Sequence, residues 1–258
     1  LAPDSFLQIA NGLASSAPYR FFFSATPTRT DGSELLLNGV IGNVLHEMTL
    51  KEGVERGFLA KPNFVIIKTI SNNNSESSDA LKMISKHLYH NEYLHKQAAL
   101  VANQFVDLLN NQVLIAVDHI EQIKYLIPHL RFDFRIAHGG VTKENKKFLP
   151  EKYHKSEPNE LVNDFNSKNY PILIGTGCIG MGTDFKSVNT IINLQSGVSE
   201  IKIKQLVGRG TRISEGKTEF NFVDFICENI PILKRHSFER IKIYKELYDN
   251  IKWLSNEF

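Results

Sequence analysis

Residues 171–185 read PILIGTGCIGMGTDF, an apolar run that gives way to glycines and small side chains. A short, continuously apolar run is typical of a strand buried on both faces, as in a parallel sheet covered by helices. A strand that runs into a small-residue turn and then a helix leaves backbone N–H groups free, and such groups attract phosphate. The stretch therefore predicts a buried parallel strand with an anion-binding turn at its carboxyl end.

The same kind of apolar, β-rich run recurs along the chain. The further runs are residues 19–24, 63–70, 112–117, 134–137, 189–194 and 219–225. Between them, apolar positions such as Ala98, Val101 and Phe105 follow a helical period. Alternation of strands and helices predicts an α/β fold, a doubly wound parallel sheet with helices on both faces.

Composition restricts the classes of protein open to this chain. Its 258 residues are 42% hydrophobic and 22% charged, which is typical of a globular protein with a real core. No apolar run approaches the ~20 residues that a membrane span needs. Two cysteines make neither a disulfide framework nor a four-thiolate zinc site, and the nine histidines show no paired metal spacing. We expect a cytoplasmic protein with no metal site; its net charge of +2 permits a nucleic-acid partner without arguing for one.

Two further segments are a lysine-rich stretch and an apolar stripe near the end of the chain. Residues 141–157 hold five lysines against three glutamates, which favours a solvated surface loop over a phosphate contact. Near the end of the chain, apolar residues recur at helical spacing and predict one amphipathic helix that packs on the core. They are Phe238, Ile241, Tyr244, Leu247, Tyr248, Ile251 and Leu254.

Residues 205–212 read QLVGRGTR and carry the chemistry most directly. On a helical stretch, Arg209 and Arg212 would share one face, with Gly208 keeping the surface between them low. Planar, permanently charged guanidinium groups bind phosphate oxygens in pairs. Taken alone, a pair of surface arginines in salt bridges explains these residues equally well.

Two other small-residue stretches make that alternative weaker. Thr176 adds a hydroxyl donor to the glycine-rich turn, and Asp184 follows it by eight residues. Ser24-Ala25-Thr26-Pro27 follows an apolar run, where a strand would end. Ligands of open α/β sheets bind at the carboxyl ends of strands.

Taken in order, these stretches resemble the motifs of superfamily 2 helicases and translocases. The matches to the family's motifs III to VI are Ser24-Ala25-Thr26, residues 113–117, His138-Gly139-Gly140, residues 175–184, and Gln205 through Arg212. Residues 41–62 and 197–204, with His236, Arg240 and Tyr244, are similar to DNA helicases of the phage UvsW and XPB type. The form Gly-Arg-Gly-Thr-Arg at 208–212 also resembles type I restriction motor subunits.

The resemblance implies a RecA-like helicase lobe and a division of the chain. Residues 1–50 would be the tail of a first lobe, 51–60 an interlobe linker, 61–228 the second lobe, and 229–258 a C-terminal amphipathic helix. ATP and Mg²⁺ would lie between two lobes, held mainly by a first lobe that is missing from this sequence. The expected nucleic-acid partner is DNA, bound without sequence preference; RNA is the alternative, and no membrane is involved.

The resemblance also implies roles for single residues. Gln205, Arg209 and Arg212 would be catalytic, with Arg212 as the arginine finger on the γ-phosphate. The ATP-binding residues would be Gly182, Asp184, Arg209 and Arg212. The nucleic-acid-binding residues would be Gly175, Thr176, His138 and Gly139. Ser24, Ala25 and Thr26 would couple the ATP state to closure of the lobes.

Two of the family's motifs are absent from this sequence. The phosphate loop G-x-x-x-x-G-K-[ST] is not found, and Gly216-Lys217-Thr218 lacks both its spacing and a preceding strand. The D-E-x-H box is not found either. We therefore expect a piece of a longer motor, inactive as an ATPase by itself, in which residues 1–50 are poorly covered, repacked or bound to a partner. The alternative from another class is a non-catalytic module that binds nucleic acid or protein.

Overall fold

The computed structural model describes residues 8–13, 15–24, 39–40, 42–72, 77–180 and 183–254. The chain divides into two compact units, Leu1–Thr49 and Leu50–Phe258. In the first unit, the described residues include one short π-helical turn, Ile9–Leu13. The second unit carries the sheet.

Within the described part of the second unit, seven strands form one sheet in the order β3-β4-β2-β5-β6-β1-β7, and every pairing is parallel. The strands are β1 Lys61–Thr69, β2 Val113–Val117, β3 Phe134–Ala137, β4 Ile172–Gly175, β5 Thr190–Leu194, β6 Glu219–Cys227 and β7 Ile251–Leu254. Each predicted run from residue 63 onward is a strand.

Helices cover both faces of this sheet. They are α1 Leu50–Glu55, α2 Ala80–Ile84, α3 Glu92–Leu109, α4 Ile120–Leu126, α5 Pro158–Asn166, α6 Glu200–Gly210 and α7 Pro231–Leu247. Successive residues of a strand point to opposite faces, so Ile115 of β2 packs with α3 and α4 while Leu114 packs with α5, α6 and α7. The predicted doubly wound parallel sheet is confirmed.

The predicted strand at residues 19–24 is wrong. These residues form no strand, and the side chains of Phe21 and Phe23 are 72% and 93% exposed. A strand needs a neighbour for its backbone N–H and C=O groups, and the described residues of the first unit contain no strand to serve as one. The exposure agrees with the expectation that this segment is poorly covered.

The segment predicted as an interlobe linker, residues 51–60, is folded, and its role as a linker stays a prediction. Most of it lies in α1 and the turn after it, and Gly53 and Ala60 are buried. A Cβ on Gly53 would lie 2.6 Å from Leu59 Cδ1, so the turn folds tightly onto the helix. The backbone N–H of Ala60 donates to the carbonyl oxygen of Thr211 at 2.7 Å.

The predicted C-terminal helix ends earlier than its apolar stripe suggested. α7 stops at Leu247, where Tyr248 turns to an extended conformation, and Ile251 and Leu254 belong to β7 beside β1. The Asn250 amide fixes the change by donating to the side-chain oxygen of Asn63 at 2.7 Å. Apolar residues three and four apart fit a helix, but here the last of them add an outer strand instead.

A buried ion pair attaches α7 to the sheet. Arg240 Nε and Nη2 donate to the carboxylate of Asp224 in β6 at 2.7 and 3.1 Å, and the Tyr244 hydroxyl donates to it at 2.8 Å. The Arg240 and Asp224 side chains are 6% and 3% exposed. Burial alone would lower the pKa of Arg240, but Asp224 outweighs it and the pKa is raised.

Replacing Arg240 with methionine should strongly destabilise the protein, because it leaves the Asp224 carboxylate buried without its cation. We expect R240M to lower the free energy of unfolding by about 3–5 kcal/mol in urea titrations at pH 7. Lys242 lies exposed on the same helix, so K242M should change it by less than about 0.5 kcal/mol. Equal effects of the two variants would contradict this account of the ion pair.

Candidate functional site

The crossover connections divide the predicted site residues between the two edges of the sheet. β4 ends at Gly175, which places Thr176 at the carboxyl edge. Asp184 lies at the amino edge, because its carbonyl oxygen accepts from the side chain of Asn166 at 2.7 Å, and Asn166 ends α5 just before β4 begins. Residues eight apart in one motif thus occupy opposite edges.

The two arginines meet the Asp184 turn at the amino edge. The Arg209 guanidinium donates to the carbonyl oxygen of Thr183, and Arg212 Nε lies 3.1 Å from Asp184 Oδ1. The last pair is open to solvent, with the side chains of Arg212 and Asp184 62% and 46% exposed. The structure therefore brings together Asp184, Arg209 and Arg212, which the resemblance assigned to ATP binding; that role stays a prediction.

The surroundings of Arg209 shift the pKa of its guanidinium. Arg209 is half-buried; burial lowers its pKa, the nearby charge of Arg212 lowers it further, and Asp184 acts in the opposite direction. The cluster places two guanidinium groups beside one carboxylate. Such a cluster fits an anion with several oxygen atoms.

The predicted shared helix face for the arginines is wrong. α6 ends at Gly210, so Arg209 lies in its last turn and Arg212 lies beyond it. Thr211 closes the helix by donating its hydroxyl to the carbonyl oxygen of Gly208 at 2.9 Å. The Thr183–Asp184 turn, rather than helical spacing, brings the arginines together. Gln205 is exposed one turn before Arg209.

At the carboxyl edge, the turns after β3 and β4 are joined. The backbone N–H of Thr176 donates to the carbonyl oxygen of Ala137 at 3.1 Å. Gly139 is exposed, and a Cβ added there would meet nothing within 4 Å. Gly140 adopts a φ of +140°, which glycine tolerates and other residues do not. These backbone groups leave an open approach for a ligand.

The His138 side chain is not available for the nucleic-acid contact that we expected of it. It is 2% exposed, its Nε2 lies 2.8 Å from the carbonyl oxygen of Tyr153, and the N–H of Gly140 donates to its Nδ1 at 3.2 Å. With both ring nitrogens engaged, the ring positions the glycine turn instead of reaching a ligand.

Gly175 has a packing role in this structure. A Cβ there would lie 2.4 Å from Ile179 Cγ2, so the turn after β4 requires a glycine for close approach. The Thr176 hydroxyl lies 3.7 Å from Cys178 Sγ, and burial raises the pKa of that thiol. A neutral thiol agrees with the interpretation of Cys178 as a small turn residue rather than a nucleophile.

Three predicted residues, Gly182, Ala25 and Thr26, lie outside the described residues. Ser24 is described and exposed, and belongs to the unit Leu1–Thr49. The expectation that this serine and its neighbours couple ATP to lobe closure stays a prediction.

Sequence reasoning missed the residues that hold these loops. Besides its bond to Asp184, Asn166 accepts through Oδ1 from the N–H of Lys186 at 2.8 Å. At the end of β2, the Asp118 carboxylate accepts from the N–H and hydroxyl of Ser196 and from the Tyr89 hydroxyl. A polar residue directly after a buried strand was the available signal for Asp118; nothing in the sequence singled out Asn166.

Lys217 is also buried, although its sequence context indicated only a false match to a phosphate loop. It is 3% exposed, and its Nζ lies 6.0 Å from the ring centroid of Phe220. Burial lowers the pKa of this ammonium to about 8. The described residues contain no group of three or more potential metal ligands, and none of the helices described is long and apolar enough to cross a membrane.

Residues 95–214, from α3 to just past the arginine cluster, match the family model of the helicase conserved C-terminal domain. This region is similar to helicase C-terminal domains. The superfamily resemblance inferred from the motifs is thereby confirmed, and the doubly wound sheet is that of a RecA-like helicase lobe.

Among curated proteins, the chain is similar to putative helicase 22 of Sulfolobus islandicus filamentous virus, 24% identical over 93% of this chain and 43% of the relative. It is also similar to the type I restriction enzyme EcoAI endonuclease subunit of Escherichia coli, 26% identical over 78% of this chain and 27% of the relative. The chain thus spans less than half the length of these relatives.

Solved structures of the same fold include a fragment of a putative HsdR subunit of a type I restriction enzyme from Vibrio vulnificus. Its TM-score is 0.59 at 17% identity, covering 90% of this chain and 43% of that one. Dbp5 of S. cerevisiae, bound to RNA and ADP BeF3, gives 0.56 at 14% identity over 91% and 51%. T4 UvsW gives 0.51 at 14% identity over 76% and 42%.

Two glycines of α6 provide a matched test of how the arginine cluster is supported. A Cβ on Gly210 would lie 2.1 Å from ring carbons of Phe220, which is 1% exposed and cannot move aside. We expect G210A to lower the free energy of unfolding by about 1–3 kcal/mol. A Cβ on Gly208 meets nothing within 4 Å, so G208A should be neutral or stabilise by up to about 1 kcal/mol. Urea unfolding of both variants checks this; a G208A protein as unstable as G210A would refute the packing argument.

Proposed function

We propose that this chain is the second lobe of an ATP-driven motor that moves along nucleic acid, with DNA as the track. The observation that carries the proposal is the meeting of Arg209 and Arg212 at the Thr183–Asp184 turn. An exposed cationic cluster of this kind suits the phosphate chain of a nucleotide. The whole motor would require further parts, because the chain spans less than half of its curated relatives.

The residues of the cluster fit ATP better than they fit a metal. Arg212 and Arg209 offer several N–H donors to phosphate oxygens, and Asp184 offers an acceptor for a sugar hydroxyl. The described residues provide no cluster that would hold Mg²⁺, so residues elsewhere in the whole protein would hold it. When bound, Mg²⁺ neutralises charge on the phosphate oxygens.

The two arginines would have different roles at the phosphate chain. Arg209 is half-buried and anchored to the carbonyl oxygen of Thr183, so it would hold position. Arg212 forms only a solvent-exposed pair with Asp184, and such pairs contribute about 0–1 kcal/mol. Exchanging this weak pair for a phosphate oxygen costs little, which suits Arg212 to the role of arginine finger. Gln205, one turn earlier, would orient an arginine or a water.

The opposite edge of the sheet would bind the nucleic-acid backbone. The exposed turn at Gly139 and Gly140 lies beside the Thr176 turn. Backbone N–H groups and a hydroxyl recognise phosphates and carry no sequence information. We therefore expect binding that responds to salt and not to sequence. RNA remains the second candidate track, because Dbp5, which shares the fold, has been solved bound to RNA.

Replacing Arg212 in the full-length protein should abolish most ATP turnover. We expect R212A to lower kcat by about 10³-fold, because an arginine finger supplies 10³–10⁵ in related reactions. Exposed Arg235 on α7 is the control, and R235A should retain the activity. ATPase assays with double-stranded DNA, single-stranded DNA and RNA as stimulants test the arginine and identify the track together. Full turnover by R212A would overturn the proposed role, as would ATP hydrolysis by the present chain alone.

Nucleic-acid binding by the chain should weaken steeply with salt and to the same degree on unrelated sequences. The slope of log K against log salt should be about −0.7 for each phosphate contacted on a single strand. Fluorescence anisotropy with two single-stranded oligonucleotides of equal length and different sequence measures it. Affinities that differ more than about tenfold between the two sequences would contradict backbone recognition.

A further inference from the structure

A cavity of about 350 Å³ lies beside β3, the outer strand on one side of the sheet. Its walls come from β3, from Leu161 of α5, and from the segment 141–157 between them. The cationic side chains Arg135, Lys152 and Lys155 line it. None of the residues assigned to the ATP cluster lines this cavity, so ATP binding at that cluster does not explain it.

The segment that carries the lysines is anchored to the fold by a few buried residues, while its lysine side chains are exposed as expected of a surface loop. Leu149 and Tyr153 are only 5% and 8% exposed, and the segment forms two 3₁₀ turns. The Tyr153 ring stacks on Phe134 of β3 with centroids 5.5 Å apart. Lys152 and Lys155 are thus presented by a backbone that packing holds in place.

The charges around the cavity do not cancel. Asp133 is matched by Arg135, whose Nη1 lies 2.6 Å from its carboxylate. Lys152 and Lys155 are exposed, and the structure describes no carboxylate within ion-pairing distance of either ammonium. Two uncompensated cations at the rim of a concave site favour an anionic ligand.

The rest of the lining is apolar. Ile136, Tyr153 and Leu161 complete the lining, and Lys152 Nζ lies 4.8 Å from the centroid of the Tyr153 ring. A volume of 350 Å³ is at the small end of the range for ligand sites, about 300–1,000 Å³. A single nucleotide combines a flat ring system with a phosphate, and so matches both parts of this lining.

The cavity adjoins the edge at which we place the nucleic acid. The backbone N–H of His138 donates to the Ser156 hydroxyl at 3.1 Å, and the His138 ring contacts the carbonyl oxygen of Tyr153. Lys152 and Lys155 each directly precede one of these two anchors in the chain. A strand that crosses the exposed Gly139 turn would therefore pass beside the cavity.

We infer that this cavity binds one nucleotide, with its phosphate at Lys152 and Lys155 and its ring over the apolar lining. The preferred source is an unpaired nucleotide of the bound strand, and this choice of source rests on the proposed function. A free nucleotide offers the same chemistry. The site lies outside the family motifs and extends the nucleic-acid footprint around the outer strand.

The test compares the double variant K152A/K155A with K242A/K245A, which removes two exposed lysines of α7 instead. The probes are a fluorescein-labelled 20-mer of thymidine, measured by anisotropy, and free dTMP, measured by calorimetry. Loss of one phosphate contact at 0.1 M salt corresponds to about a fivefold loss in affinity and a salt slope smaller by about 0.7. We expect this for K152A/K155A, no change for the control, and recovery in K152R/K155R, with circular dichroism confirming the fold of each.

Each outcome decides the inference. A fivefold loss for the 20-mer supports a strand as the source, whereas loss of dTMP binding alone supports a free nucleotide. If the 20-mer binds and both double variants match the original chain with either probe, the cavity inference is overturned and the proposed function stands. If neither probe binds the original chain, the inference and the nucleic-acid part of the proposed function fail together.

Discussion

Parallel pairing of every described strand is the constraint from which the arrangement of the site follows. A chain that leaves the carboxyl edge of a parallel sheet must cross back to the amino edge before the next strand can begin. One motif, from Thr176 to Asp184, is such a crossing, and it therefore reaches both edges within a few residues. Residues far apart in sequence, such as Asn166, Asp184 and Arg209, come together for the same reason.

The proposed ATP contacts depart from the rule that ligands of open α/β sheets bind at the carboxyl ends of strands. The arginine cluster lies at the amino edge, where α6 ends, because a helix that follows a strand runs back alongside the sheet. The glycine turns after β3 and β4 lie at the other edge. A single lobe thus presents two chemically different surfaces: side-chain cations on one edge and backbone groups on the other.

The sequence was a good guide to structure that depends on local pattern. Continuous apolar runs correctly located the strands from residue 63 onward. The motifs also pointed to Arg209, Arg212 and Asp184, which the structure places in contact at one turn. The sequence was a poor guide where contacts between distant parts of the chain determine the structure. Residues 19–24 are as apolar as the true strands but have no strand partner, and Ile251 fits a helical stripe yet pairs with β1. His138 fits a binding motif, but its ring bonds to Tyr153 were not visible in any local pattern.

The position of β1, which follows α1 in the chain and lies between β6 and β7 in the sheet, has a mechanical consequence. β1 begins after the turn that follows α1 and pairs with β6 along nine residues, Lys61 to Thr69, while β7 pairs with its other side along four. Tension that enters through α1 is directed along β1, so it shears the hydrogen bonds to β6 all together rather than peeling them one at a time. The connection from α1 to β1 is thus mechanically stiff, and it can transmit a displacement to the sheet without breaking the pairing of β1.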